Sequence, residues 1–168
     1  MRKILFGLLL TLIACGQNTN PQKHGKKIAS PDKYVGIYEY VYPGNTRDLI
    51  ENHFIVLSKN KDKISGLYYG TSDEFDFARE GYLPGFFVSP MDSLQINGDT
   101  IVFILNTNNS DFLTRPVDLK IQSTKEALSS GYKNWDNKIP ATPKTYTGLI
   151  KDPETIIFKG EKKFIKKK

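Results

Sequence analysis

The sequence predicts a mainly β fold, an antiparallel up-and-down barrel or sandwich carrying one or two short helices. Three observations lead there. Aromatic and β-branched residues gather into short runs from Tyr34 onward. Turn chemistry at Pro43-Gly44-Asn45, Asn97-Gly98 and Asp152-Pro153 separates many of those runs. Helix-start chemistry occurs at only two places. Short strands joined by hairpins, with little helix between them, are the pattern of sandwiches and barrels.

Taken in order, Tyr34 to Tyr42 (YVGIYEYVY) is apolar on both faces apart from Glu39, and Pro43-Gly44-Asn45 ends it. Ile50 to Ser58 follows, with Phe54, Ile55, Val56 and Leu57 at its centre. Asn60-Lys61-Asp62 then turns the chain into Ile64 to Gly70, a second half of a hairpin. Leu94 to Ile96 and Asp99 to Leu105 form the clearest hairpin, because Asn97-Gly98 supplies the positive φ angles of a two-residue turn. Val117, Leu119 and Ile121 alternate with Asp118, Lys120 and Gln122, the period of a half-exposed strand. Tyr146 to Ile150, Thr155 to Lys159 and Lys163 to Lys166 complete the set. The two helices start at Thr71-Ser72-Asp73-Glu74, with Gly81 as its stop, and at Ser123-Thr124-Lys125-Glu126, which ends at Gly131. Both have the capping-box spacing.

The densest chemistry lies between Tyr68 and Pro90. Asp73, Glu74, Asp76 and Glu80 either complement the dipole of the expected helix or gather a cation. Glu74 and Glu80 are also the carboxylate pair a glycosidase would need. Phe75, Phe77, Tyr82, Phe86 and Phe87, with Tyr38 from the first strand, either plug a barrel or line the mouth of a ligand pocket. In the second case the helix and its loop act as a lid. Trp135 is either a satellite core residue or a contact residue. The chain has no Gly-x-Ser-x-Gly elbow and no glycine-rich phosphate cradle, and its two histidines, His24 and His53, lie outside the common zinc spacings. No catalytic residue, cofactor, metal or nucleic-acid partner is expected.

The N-terminus carries the sharpest signal. Arg2 and Lys3 precede an apolar run from Ile4 to Ile13, followed by Ala14 and Cys15, the single cysteine. A basic start, a short apolar core and a small residue make a secretory signal, and the run falls short of the roughly 20 residues a spanning helix needs. Leu12-Ile13-Ala14-Cys15 resembles the lipobox of bacterial lipoproteins. The resemblance implies cleavage after Ala14, a diacylglycerol thioether on Cys15, palmitate-type acyl chains as the membrane anchor, and an address in the bacterial cell envelope. Gly16, rather than Asp, after the cysteine resembles an outer-membrane sorting signal. The expected organisation is a signal peptide over residues 1–14, a lipidated flexible tether over 15–33, and a single β-rich domain over 34–168. The tether, rich in Gln, Asn, Lys and Pro, would span on the order of 25 Å as a coil. With Cys15 in the anchor, the domain has no disulfide and depends on packing. The formal charge is +6, and Lys162, Lys163, Lys166, Lys167 and Lys168 crowd the C-terminus. Such a tail is either a solvated end or an attraction for anionic lipid.

Gly36-Ile37-Tyr38 resembles the Gly-x-Trp that opens lipocalins, with Tyr38 in place of the tryptophan and no arginine after Arg115 to pack on it. That resemblance implies an up-and-down barrel with an apolar pocket. The expected function is a non-enzymatic, lipid-anchored envelope protein whose barrel binds a small apolar ligand or lipid. The alternative is a protein-interaction module, an inhibitor or immunity-type lipoprotein, using Tyr82 to Phe87 or Tyr132 to Trp135. A carbohydrate-active enzyme rests on the loop carboxylates alone.

Overall fold

The computed structural model describes residues 31–44, 52–61, 63–76, 81–107, 111–134 and 143–168, and for 72–76 and 81–84 the backbone course alone. The expected leader and residues 15–30 of the expected tether, Cys15 among them, lie outside the described residues, while 31–33 belong to the first turn. A 3₁₀ turn (Pro31–Tyr34) leads into β1 (Gly36–Tyr40), β2 (Phe54–Asn60), β3 (Lys63–Asp76), β4 (Gly81–Pro90), β5 (Asp92–Asn97) and β6 (Thr100–Leu105). Helix α1 (Thr124–Ser129), β7 (Lys144–Asp152), β8 (Thr155–Phe158) and β9 (Lys162–Lys166) follow. The mainly β expectation holds: the strands form one antiparallel sheet in the order β4-β3-β2-β1-β9-β8-β7-β6-β5, nearly closed into a barrel.

The sheet comes close to closing through the chain itself. Because neighbours alternate in direction, the two ends of this nine-strand order, β4 and β5, run the same way. They follow each other with only Met91 between them. β4 pairs with β3 from Leu67 upward, and Met91 N–H then donates to the Gly66 carbonyl at 2.9 Å. β5, on the other side, pairs with β6. Together β4 and β5 act as one stave that changes partner at its midpoint, so the barrel has eight staves, the even number antiparallel pairing needs.

Register sets the two ends of the barrel. The Tyr34 hydroxyl donates to the Gly98 carbonyl (3.2 Å), and the Tyr38 hydroxyl lies 2.9 Å from both the Tyr34 and Pro153 carbonyls. The 3₁₀ turn and the β5–β6 and β7–β8 turns therefore seal one end. At the other end β3 and β4 outgrow their neighbours: β2 pairs with β3 only as far as Tyr69, and the hairpin continues to Asp76 opposite Gly81. At about 3.3 Å per residue this arm rises roughly 20 Å beyond the last β2 pair.

Strand alternation divides the apolar residues into two cores. Tyr38, Ile55, Leu57, Tyr68, Phe87, Ile101, Phe103, Ile156, Phe158 and Phe164 fill the barrel. Tyr69, Phe86 and Val88 face outward and are covered by the segment after β6, through Leu113, Val117 and Ala127. Leu113 bridges to Phe86 of β4, and the Tyr69 hydroxyl donates to the Ile121 carbonyl at 2.7 Å.

Two expected elements are corrected. Residues 71–76 belong to β3 and Gly81 opens β4, so no helix starts at Thr71. A capping box is a local signal worth about one hydrogen bond, whereas these residues join a continuous ten-pair ladder. Val117 to Gln122 is not a strand. Its alternation points Val117 into the outer core, while the Leu119 and Ile121 carbonyls face the Tyr69 hydroxyl. The hairpin turn is Gly98-Asp99, one residue later than expected, with Gly98 at φ 66 and Asn97 paired to Thr100. The second helix forms as expected: the Ser123 hydroxyl accepts from Glu126 N–H, and the Glu126 carboxylate accepts from Gln122 N–H.

Gly148 faces inward where a Cβ would sit 2.7 Å from a Phe158 ring carbon. Gly148→Ala is expected to lower stability by about 1–3 kcal/mol through overpacking, read as a lower urea midpoint with an unchanged slope.

Candidate functional site

The two ends of the barrel differ in chemistry. At the sealed end each buried phenol has a carbonyl acceptor, as Tyr34 and Tyr38 do. The other end, beneath the arm, collects Tyr40, Tyr42, His53, Tyr68 and Tyr146. Alternation places Tyr38, Tyr40 and Tyr42 on one face of the first strand and its extension, so successive tyrosines climb the inner wall. His53 precedes β2, and its neighbour Phe54 pairs with Glu39, which sets the imidazole among those rings. The His53 and Tyr42 rings stack at 5.7 Å and 14°, and the Tyr40 ring meets Tyr42 edge-on at 4.5 Å.

Tyr68 is the hub. Its ring lies 6.2 Å from His53, 6.0 Å from Phe87, 6.2 Å from Phe103, 5.7 Å from Tyr146 and 6.2 Å from Phe164. Tyr146 reaches it because Phe103 and Tyr146 are a cross-strand pair, stacked at 5.2 Å. Gly70, two residues from Tyr68, leaves the space that the Phe87 ring occupies: a Cβ there would lie 2.3 Å from it.

Burial pushes the Tyr68 phenol well above the ordinary tyrosine range, and the nearby Tyr146, Tyr42 and Tyr40 oxygens push it further. Burial raises Tyr146 as well. Both phenols stay protonated near neutral pH, where they donate hydrogen bonds and do not act as bases. Asn52 Nδ2 and Thr71 Oγ1 are buried without a hydrogen-bond partner among the described residues, and alternation with Phe54 and Tyr69 puts both on the outer face of the sheet. Each would cost about 1–3 kcal/mol if left so. The Thr71 carbonyl, in contrast, sits 3.3 Å from His53 Nε2. A ring-lined wall carrying the phenol hydroxyls of Tyr40, Tyr68 and Tyr146 suits a small molecule that offers a flat apolar body and hydrogen-bond acceptors. No group of three or more His, Cys, Asp or Glu side chains able to hold a metal ion occurs among the described residues.

The residues expected from sequence scatter. Phe87 joins the inner cluster against Tyr68 and Phe112. Phe86 points the other way, 1% exposed in the outer core. Tyr38 is buried at the sealed end. Phe75 and Tyr82 are paired in the arm, and Phe77, Trp135 and Glu80 lie outside the described residues. Tyr40, Tyr42, His53, Tyr68 and Tyr146 were legible only as inward positions of separate strands. No protein-family model, curated protein or solved structure matches the chain.

Burial raises Tyr38 to about 12, with Tyr34, Asp152 and Glu154 adding to it, and burial raises Tyr69 to about 12, helped by Glu126 and Asp118. The unfolded chain ionises the same groups near 10.0. A protonated phenol therefore favours the fold fully below pH 10, and that contribution is lost as pH rises from about 10 to about 12. Alkaline titration should show phenolate absorbance rising together with loss of the fold. Separate titration of all phenols near pH 10 in a folded chain would contradict this.

Proposed function

We propose that the protein is a lipid-anchored, non-enzymatic component of the bacterial cell envelope whose barrel binds a small ligand at its tyrosine-lined end. The observation that carries the binding part is the contrast between the two ends: phenols paired to carbonyls at one, and at the other Tyr40, Tyr68 and Tyr146 gathered on the inner wall around His53. The well-filled aromatic interior favours a compact ligand seated at the mouth over a long acyl chain threaded through the barrel. The anchor rests on Leu12-Ile13-Ala14-Cys15 and the basic, apolar leader before it. No helix among the described residues is long and apolar enough to cross a membrane, a statement that does not extend to strands.

The projecting arm supports a second reading, a protein-interaction module, since an exposed hairpin edge offers backbone groups to a partner. The aromatics Phe86 and Phe87 at its base are buried and unavailable for that role.

Cys15→Ser is expected to abolish labelling by radioactive palmitate and to prevent maturation, while wild type fractionates with membranes. An unlabelled wild-type protein would end the anchor reading. For the ligand, native mass spectrometry of protein extracted from its own cells should find an added small-molecule mass. Tyr146→Phe keeps the ring and removes one hydroxyl, and should weaken retention about fivefold if that hydroxyl donates to the ligand. An empty barrel in the extracted protein would sink the ligand reading and favour the arm.

A further inference from the structure

The outer face of β7, β8, β9 and β1 is a sheet surface left uncovered by the other described residues, with a distinct composition. Across it, Val41 lies beside Lys163 through the Val41 N–H to Lys163 carbonyl bond (2.8 Å), Lys163 pairs with Ile157, and Ile157 pairs with Leu149. One register further, Glu39 pairs with Ile165. Leu149 is 49%, Val41 45% and Ile165 37% exposed, large apolar side chains left in water on one side of the barrel. Lysines frame them: Lys151 lies in β7, Lys159 follows β8, and Lys162, Lys163, Lys167 and Lys168 come from β9 and the tail. Glu39 is held by Lys167 at 3.0 Å, which leaves the other lysines in excess over Asp152, Glu154 and Glu161. A shallow groove runs along Glu39, Val41, Ile165 and the last lysines.

The place where the described chain begins lies at the border of this face. The Lys166 ammonium donates to the Lys33 carbonyl at 3.3 Å, and Lys167 N–H donates to the Ile37 carbonyl at 2.8 Å. The first described residues therefore lie beside Lys166 of the C-terminal strand. We propose that this face docks on an anionic phospholipid surface, with Lys151, Lys159 and Lys163 against headgroups and Leu149, Ile157 and Ile165 at the interfacial boundary. The setting rests on the anchor reading above; the surface chemistry does not. Apolar side chains enter the interface while lysines gain from the negative surface potential, and their stems extend toward headgroups. Held this way, the barrel lies on its side and its tyrosine-lined end opens parallel to the membrane.

The test uses the full lipidated protein reconstituted into vesicles, with an environment-sensitive dye on Leu149→Cys or, across the barrel on β5, on Gln95→Cys. On phosphatidylglycerol-rich vesicles the dye at 149 should report an apolar environment and lose it in high salt, while the dye at 95 reports water throughout. On pure phosphatidylcholine both should report water although the protein stays attached. Combining Lys151→Gln, Lys159→Gln and Lys163→Gln should weaken docking about a hundredfold without releasing the anchor, at roughly fivefold per lysine. Water at position 149 on both vesicle types would overturn the proposal. A signal without vesicles that grows with protein concentration would also overturn it, assigning the face to a second copy of the chain. If the chain is recovered without acyl groups, only the anchor reading fails. The face is then judged by whether that chain sediments with anionic vesicles, and not neutral ones, in a salt-reversible way.

Discussion

An antiparallel sheet can close only on an even number of staves, and the architecture of this protein follows from how the chain meets that rule. Nine strands are made to count as eight by running β4 into β5 through Met91. The lower half of that stave satisfies β6 and the upper half satisfies β3, so above the change of partner the free side of β4 needs cover. Leu113 provides it by pairing with Phe86, and the segment that carries Leu113 goes on to build the second core. The arm, the outer core and the open end all arise at the same seam.

Inside, stability without a disulfide is a matter of rings. Tyr68 touches five aromatic neighbours, and such pairs contribute about 0.5–1.5 kcal/mol each beyond the area they bury. Glycines on inward positions make this filling feasible, since a methyl group at Gly70 or Gly148 would collide with Phe87 or Phe158. The same crowding explains why polarity is pushed to the ends. Phenol oxygens find carbonyls where turns come close, as around Tyr34 and Tyr38, and gather around His53 beneath the arm.

Much of the ladder was legible from local chemistry. The β2–β3, β5–β6 and β7–β8 hairpins and α1 sit where turn and capping residues put them. Residues 71–76 misled because Thr71 and Glu74 speak only for one helical turn, while the long pairing with β4 involves partners five to fifteen residues away. Val117 to Ile121 kept its alternation and lost its hydrogen bonds, since burial of side chains and membership of a ladder are separate facts. The tyrosine cluster was the least readable feature. Its members come from β1, the start of β2, β3 and β7, and only the register that opposes Phe103 to Tyr146 and Glu39 to Phe54 brings them together. The lipobox-like Leu12-Ile13-Ala14-Cys15, by contrast, is a linear pattern that no fold is needed to read.

The pairing of β9 with β1 ties the last strand to the first. Until Phe164 arrives, Tyr38 and Tyr40 lack one neighbour and β8 has an open edge. Completion of the wall must therefore wait for the entire polypeptide to emerge, and loop closure over that distance is slow. During that interval an exported chain would expose sticky strands to other proteins, so chaperones at the exit of the translocation machinery would matter more for it than for a protein whose early segments fold alone. A stop codon a handful of codons too soon, before Lys162, would leave two raw strand edges and so yield an aggregating species, not merely a shortened one.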